Sequence, residues 1–471
     1  MKSDICYIVS HGFAARMLLQ TNLIGRLTEC GLKVSIISHN AKDPNFESFA
    51  ANPLVSLFEW KSKSSIWDDD YLYKRMYFLE DIKANTALKE KFYNALFYSK
   101  SIHPWKRLRP IYYYLIYTLV KRIPSIRKNF LKKEGKYLVS EEAKNLLKII
   151  QPRLLVSTYP VSIMEAKLLY EAKHAGIETV LHLLSWDNIT CKGKFPVLPD
   201  RFIVWGEIME EELKSFYSID SDRIVKCGVT HFDEHVEIRE SGCSLKDIQQ
   251  TGQSIKRPYL FFAMSSPRFA PREIDIVEWL ANAIDSGQFG SEMSLVVRPH
   301  PQNVQDFTAK KSWLGRLDKI ESDQVKIDYP EMLQSKIRWS MKKSDMTRLS
   351  TLISDCSICF NSGSTISIDA LMHNKPVILT SFDGDKKLAY WNSAKRLKDY
   401  THLAKLIKEG GVRSVGDYSE LKHAVNIYLK TPEHDLEKRR SALLRECFKD
   451  DGLSTQRVVE ALRQMIRQAK S

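Results

Sequence analysis

The stretch Leu352 to Gly384, LISDCSICFNSGSTISIDALMHNKPVILTSFDG, constrains the fold more than any other. Its apolar run Ser357-Ile358-Cys359-Phe360 is short enough for a buried strand. Asn361-Ser362-Gly363-Ser364-Thr365 then forms a small polar turn. A helical pattern follows through Ile366, Ile368, Ala370, Leu371 and Met372, with Asp369 inside it. Lys375-Pro376 stops that helix, and Val377-Ile378-Leu379 reads as the next strand. Strand, turn, helix and strand make a βαβ unit, whose turn lies at the ligand-facing carboxyl end of a strand. Backbone N–H groups at the helix start, with the hydroxyls of Ser364 and Thr365, suit a phosphate.

The same alternation recurs. Ile5-Cys6-Tyr7-Ile8-Val9 ends at Ser10-His11-Gly12, a helical pattern follows, and Val34-Ser35-Ile36-Ile37 is the next strand. This start lacks G-x-G-x-x-G, so no dinucleotide site is indicated. Further strands are Leu154 to Ser157, Thr179 to Leu184, Arg201 to Trp205, Ile224 to Gly228, Tyr259 to Ala263 and Leu295 to Val297. With 471 residues the chain is too long for one core, and two α/β domains are expected. The boundaries read as 1–237 for the first domain, 238–257 for a polar linker, 258–440 for the second domain, and 441–471 for a closing helical segment. Residues 303–340 read as loop-rich.

Residues 60–148 break the alternation and read as a helical insertion in the first domain. Between 100 and 136 the chain carries eleven lysines and arginines against one acid, Glu134, around the run Ile111 to Tyr117. Basic flanks on an aromatic and aliphatic stripe suit a helix lying on an anionic membrane surface. A buried helix with a solvated basic end is the bland alternative. The net charge of +14 also points to an anionic partner, but no nucleic-acid module is recognisable, so nucleic acid is not expected. No run is long and apolar enough to span a bilayer. The start Met1 to Ser10 does not read as a signal peptide. The eight cysteines are scattered, with a lone Cys356-x-x-Cys359 and no second pair, so neither a metal site nor disulfides are expected. Together these readings give a cytoplasmic protein, with a peripheral place on the inner face of the plasma membrane as its extension.

Three second-domain loops follow parallel strands and are expected on one rim: Ser265-Ser266-Pro267-Arg268, Arg298-Pro299-His300-Pro301, and Asn361 to Thr365. Hydroxyls, two guanidiniums and an imidazole suit a nucleotide phosphate without a metal. Arg298 or His300 is expected to neutralise a departing leaving group. Asp369 is expected either to accept ribose hydroxyls or only to favour its helix start. In the first domain, His11 and Asp187 follow strands and are the candidate bases for deprotonating an acceptor hydroxyl. Trp186 offers a flat surface to a sugar ring and Asn188 a polar contact; a capped turn with a packed indole is the competing reading.

On these residues the chain resembles glycosyltransferases of the GT-B fold, two Rossmann-like domains with a last helix that crosses back. The second domain is similar to bacterial capsule and surface-polysaccharide transferases. Their His-Pro and Ser/Thr motifs, which contact the donor nucleotide, map onto His300-Pro301 and onto Ser364 with Thr365. Asp345 to Leu379 also resembles CDP-glycerol glycerophosphotransferases through Asp345, Leu349, Leu352, Ser354-Asp355, Ser362 to Thr365 and Lys375-Pro376. Ser185 to Asn188 with Lys192-Gly193, and Ser265 to Pro267 with Ala270 to Glu273, resemble further surface-carbohydrate transferase-like proteins. No Glu-x7-Glu element is visible near residues 361–376, which favours an inverting enzyme.

The resemblance implies a nucleotide-sugar donor (UDP, CMP, CDP or GDP), a glycan or lipid-linked acceptor, and no cofactor, in capsule or lipopolysaccharide synthesis. A CDP-polyol-phosphate transferase, a sugar-nucleotide epimerase and a non-catalytic membrane-docked assembly protein are the alternatives.

Overall fold

The computed structural model describes residues 2–49, 51–62, 122–159, 161–242, 258–304, 311–335 and 340–469, with residue 255 and isolated positions between 86 and 119. The chain divides into two compact units. The first is Met1–His231 with Gln334–Ser340 and Leu453–Ser471, and the second is Phe232–Leu333 with Met341–Gly452. The unit boundary thus falls at residue 231, ahead of the polar stretch 238–257. Residues 243–254 of that stretch lie outside the described residues.

The first unit holds seven parallel strands: β1 (Ser3–Val9), β2 (Val34–Ser38), β3 (Val55–Glu59), β4 (Pro152–Ser157), β5 (Glu178–His182), β6 (Arg201–Val204) and β7 (Ile224–Lys226). Their order is β3-β2-β1-β4-β5-β6-β7. β1 is central, and Ile5 to Val9 are fully buried. A strand covered by helices on both faces has no solvent side, which is why it reads as a continuous apolar run. The insertion expected over 60–148 lies largely outside the described residues. Its described end is the helix Pro124–Leu138, which packs on the helix Ile163–His174. A Cβ at Gly135 would stand 2.9 Å from the Tyr170 hydroxyl, so the absent side chain lets those two helices meet. The closing helix Ser454–Gln468 packs on the helix Leu23–Glu29 of this unit. Arg457 donates to the Cys227 carbonyl at 2.9 Å, and Arg153 to the Ile466 carbonyl at 2.8 Å.

The second unit holds six parallel strands: β8 (Tyr259–Ala263), β9 (Ser294–Arg298), β10 (Val325–Ile327), β11 (Ile358–Asn361), β12 (Val377–Thr380) and β13 (Arg413–Val415), in the order β10-β9-β8-β11-β12-β13. Phe262 of β8 pairs with Phe360 of β11 in register, and their rings stack at 6.0 Å inside the core. Among the described residues of 303–340, regular elements replace the expected loops. These include β10 and the helix Lys311–Ile320, whose Trp313 and Leu317 join the core. No disulfide joins the seven described cysteines, and burial pushes the Cys356 and Cys359 thiols up.

Candidate functional site

In both sheets the strand order reverses once, where ligand-facing loops of open α/β sheets diverge. In the second unit the reversal lies between β8 and β11. The loop after β8 carries Ser265 to Arg268, and the loop after β11 carries Ser362 to Thr365. A buried carboxyl joins them. Glu273 opens the helix Glu273–Asp285 and is 1% exposed. It accepts the Ser265 N–H at 2.6 Å and the Ser362 hydroxyl at 2.6 Å. Ser362 Oγ lies 2.8 Å from Thr380 Oγ1, which donates to the Asn361 carbonyl at 3.4 Å. Burial pushes the Glu273 carboxyl up to about 7, against the pull of the bonds from Ser362 and Ser265. A protonated Glu273 can donate to Ser362, Ser362 to Thr380 and Thr380 to the carbonyl, so every hydroxyl in the chain is satisfied. Once ionised, the first two bonds must reverse.

The turn after β11 differs from the expected phosphate cradle. The Asn361 side-chain oxygen accepts the N–H groups of Gly363 at 2.8 Å and Ser364 at 2.9 Å, and its amide donates to Ser367 at 3.0 Å. Two amides just ahead of the helix start therefore shape the turn itself. Gly363 has φ +116°, and a Cβ there would come within 2.7 Å of Leu403. Ser364 and Thr365 are half-buried.

His300 sits on the loop after β9. Its Nδ1 accepts the Gln302 N–H at 3.1 Å, which leaves the ring proton on Nε2. Burial lowers its pKa to about 4, so at neutral pH it offers a hydrogen bond and no charge. Arg298 corrects the expectation more sharply. Its guanidinium is 5% exposed and closed by two acids: Nη1 pairs with Asp328, and Nη2 donates to both oxygens of Asp345 at 2.6 Å. Arg348 Nε also binds Asp328, at 2.5 Å. A guanidinium this deep needs partners, so it belongs to an internal ion network and not to a phosphate. Asp369 is likewise engaged: 5% exposed, it lies 2.8 Å from His235 Nε2. His235 Nδ1 in turn lies 2.8 Å from Ser350 Oγ and 3.0 Å from His373 Nε2. Ser265 and Ser266 are buried, whereas Arg268 is exposed, its guanidinium 5.8 Å from the Phe269 ring.

In the first unit the reversal lies between β1 and β4, and a second buried glutamate marks it. Glu165 is 0% exposed. It accepts the Ser10 hydroxyl from the β1 loop. From the β4 loop it accepts the Ser157 hydroxyl at 2.6 Å and the N–H groups of Thr158 and Tyr159 at 2.7 and 2.9 Å. Burial pushes its carboxyl up. The loops so held carry His11 and Tyr159, whose rings stack at 5.1 Å. His11 Nδ1 accepts the Phe13 N–H at 3.1 Å, the same device as at His300. Burial, then the Lys192 charge, lower its pKa to about 4, while Asp187 opposes them. His11 is therefore neutral and a weak base. Asp187 accepts the Ser185 hydroxyl at 2.7 Å and pairs with Lys192 at 2.8 Å. Asp187 also raises the Lys192 pKa. His11, Tyr159, Asp187 and Lys192 thus form one electrostatic cluster. Trp186 and Asn188 do not lie open beside it. They are 4% and 2% exposed, so the indole is packed in the unit, where its large apolar area is better buried.

Sequence reasoning missed Glu165, Glu273, Tyr159 and Lys192 as site residues. One signal existed: each glutamate sits in the first turn of a helix that follows a strand-end loop rich in serine or threonine. Among the described residues, no group of three or more His, Cys, Asp or Glu side chains is arranged to hold a metal.

No protein-family model matches the chain, and no curated protein does. Solved structures do. The S. aureus MnaA–UDP co-structure is 11% identical, with 99% of this chain and 97% of that one covered and a TM-score of 0.55. UDP-GlcNAc 2-epimerase from Neisseria meningitidis, bound to UDP-GlcNAc, is 13% identical, with 98% and 100% covered and a TM-score of 0.53. A glycosyltransferase from Rickettsia africae is 11% identical, with 99% of each chain covered and a TM-score of 0.50. The fold is therefore the GT-B arrangement of two Rossmann-like domains.

Proposed function

We propose that this chain is a nucleotide-sugar-dependent glycosyltransferase, inverting and metal-independent, that extends a bacterial surface glycan of capsule or lipopolysaccharide type. The second unit holds the donor: the loops after β8, β9 and β11 leave three adjacent strands at the same sheet edge. His300, fixed as an Nε2–H donor, binds a phosphate oxygen, and Ser364, Thr365 and Arg268 bind the rest of the diphosphate. This convergence of three loops at the reversal of strand order is the observation that carries the reading. The first unit serves the acceptor. Its hydroxyl attacks the anomeric carbon, Asp187 takes the proton, and the bond from that carbon to phosphate breaks, with the electron pair leaving on the nucleotide. Lys192 holds the Asp187 carboxylate in place. The glycan acceptor rests on the likeness of His300-Pro301 and Ser364-Thr365 to the surface-polysaccharide transferases.

The test is a thermal-shift panel of UDP, CDP, GDP and CMP, followed by turnover of the matching sugar nucleotides with and without glycan acceptors. One nucleotide is expected to stabilise the protein. Asp187→Asn and His300→Ala are expected to lower transfer by about 10²-fold or more. Donor converted equally fast without acceptor indicates an epimerase, and stabilisation by CDP-glycerol alone indicates a polyol-phosphate transferase; either overturns the reading.

A further inference from the structure

We infer that the exposed apolar residues Leu108, Ile111, Tyr112, Leu115, Leu119, Ile123 and Ile126 dock on an anionic lipid bilayer. Leu108, Tyr112, Leu115 and Leu119 are helical and recur at steps of four, three and four, the spacing that lines side chains along one helix face. They are 52%, 59%, 58% and 56% exposed. Ile111 at 41%, Ile123 at 38% and Ile126 at 42% extend the exposed apolar set. Singly exposed leucines are common on protein surfaces, but seven large apolar side chains within nineteen residues mark an interaction site.

Charge selects the occupant. Residues 100–136 carry eleven lysines and arginines against Glu134, and Arg122 and Lys128 are exposed beside the apolar set. A second copy of the chain would bring two such basic segments together, which repulsion opposes. An anionic bilayer supplies both complements at once, with acyl chains for the leucines and lipid phosphates for the cations. Among the described residues no helix is long and apolar enough to cross a membrane.

Vesicle flotation of the full chain tests this, using phosphatidylcholine vesicles with and without phosphatidylglycerol. Binding is expected to be at least about tenfold stronger to the anionic vesicles and to weaken with added salt. Leu115→Glu with Leu119→Glu is expected to abolish most of it. Arg122→Gln with Lys128→Gln is expected to weaken it about 30-fold, since each cation near an anionic surface is worth about a fivefold change in partitioning. Both variants alter exposed side chains and should keep the wild-type melting curve, which separates lost docking from misfolding. Failure to float, equal binding to neutral vesicles, or variants that bind as wild type would overturn the inference. So would a micromolar dimer that the double leucine variant dissolves.

Discussion

Replacing Glu273 with glutamine should change how stability depends on pH, in a direction that burial alone dictates. The ordinary carboxyl value is 4.5, and burial raises Glu273 to about 7. That displacement corresponds to about 3 kcal/mol at 1.36 kcal/mol per pH unit. Between pH 4.5 and about 7 the folded protein keeps a proton that the unfolded chain has shed. The contribution is therefore complete below pH 4.5 and is lost as pH rises through about 7. Glutamine imitates the protonated form: its oxygen accepts from the Ser265 N–H, and its amide donates to Ser362. Urea unfolding of both proteins from pH 5 to pH 8 should show the variant gaining about 2.5 kcal/mol on the wild type. The difference between the two is the quantity to read, because His11, His182 and His300, each lowered to about 4, add a slope of the opposite sign common to both. Parallel curves would refute the reasoning, since they mean Glu273 is charged throughout. A wild type that gains on the variant with rising pH would mean its hydrogen-bond donors outweigh its desolvation.

Two further perturbations probe the second unit. Gly363→Ala places a side chain at φ +116°, a region only glycine occupies without strain, and against Leu403. It should lower stability in urea by about 1–3 kcal/mol, and more if Leu403 fails to rotate away. Asp345→Ala leaves the buried Arg298 with one of its two carboxylate partners and should cost about 3–5 kcal/mol by the same assay. The additional loss in an Arg298→Met, Asp345→Ala double variant should be small, because the uncompensated charge is removed with its partner.

The parallel strands were legible because a doubly covered strand must be apolar along its whole length. Tyr259 to Ala263, Ser357 to Phe360 and Val377 to Leu379 stand out against polar turns for that reason. β10 and β13 were not, and neither was the five-residue β3, whose Ser56 and Glu59 interrupt its apolar run. Site residues divide along a different line. A strand-end position can be read locally, so the loops carrying His11, His300 and Thr365 were found. The direction of a long side chain cannot. Arg298 turns inward because of Asp328 and Asp345, 30 and 47 residues away. Trp186 turns inward because its indole finds cover. Glu165 and Glu273 were overlooked for the converse reason: a glutamate in the first turn of a helix has a sufficient local explanation in the helix dipole, and nothing nearby announces its burial.

The first unit is assembled from three separate pieces of chain. Asn45 donates to the hydroxyls of Ser335 at 3.1 Å and Ser340 at 3.0 Å, and the helix Ser454–Gln468 belongs to the third piece. During synthesis the sheet β1–β7 emerges first yet waits for partners made more than a hundred and then more than two hundred residues later. The second unit, nearly all of it spanning 232–452, can finish while its predecessor is still open along one flank. The unit translated earlier is thus the one completed later, and a nascent chain carries that flank uncovered until residues 453–468 have been made.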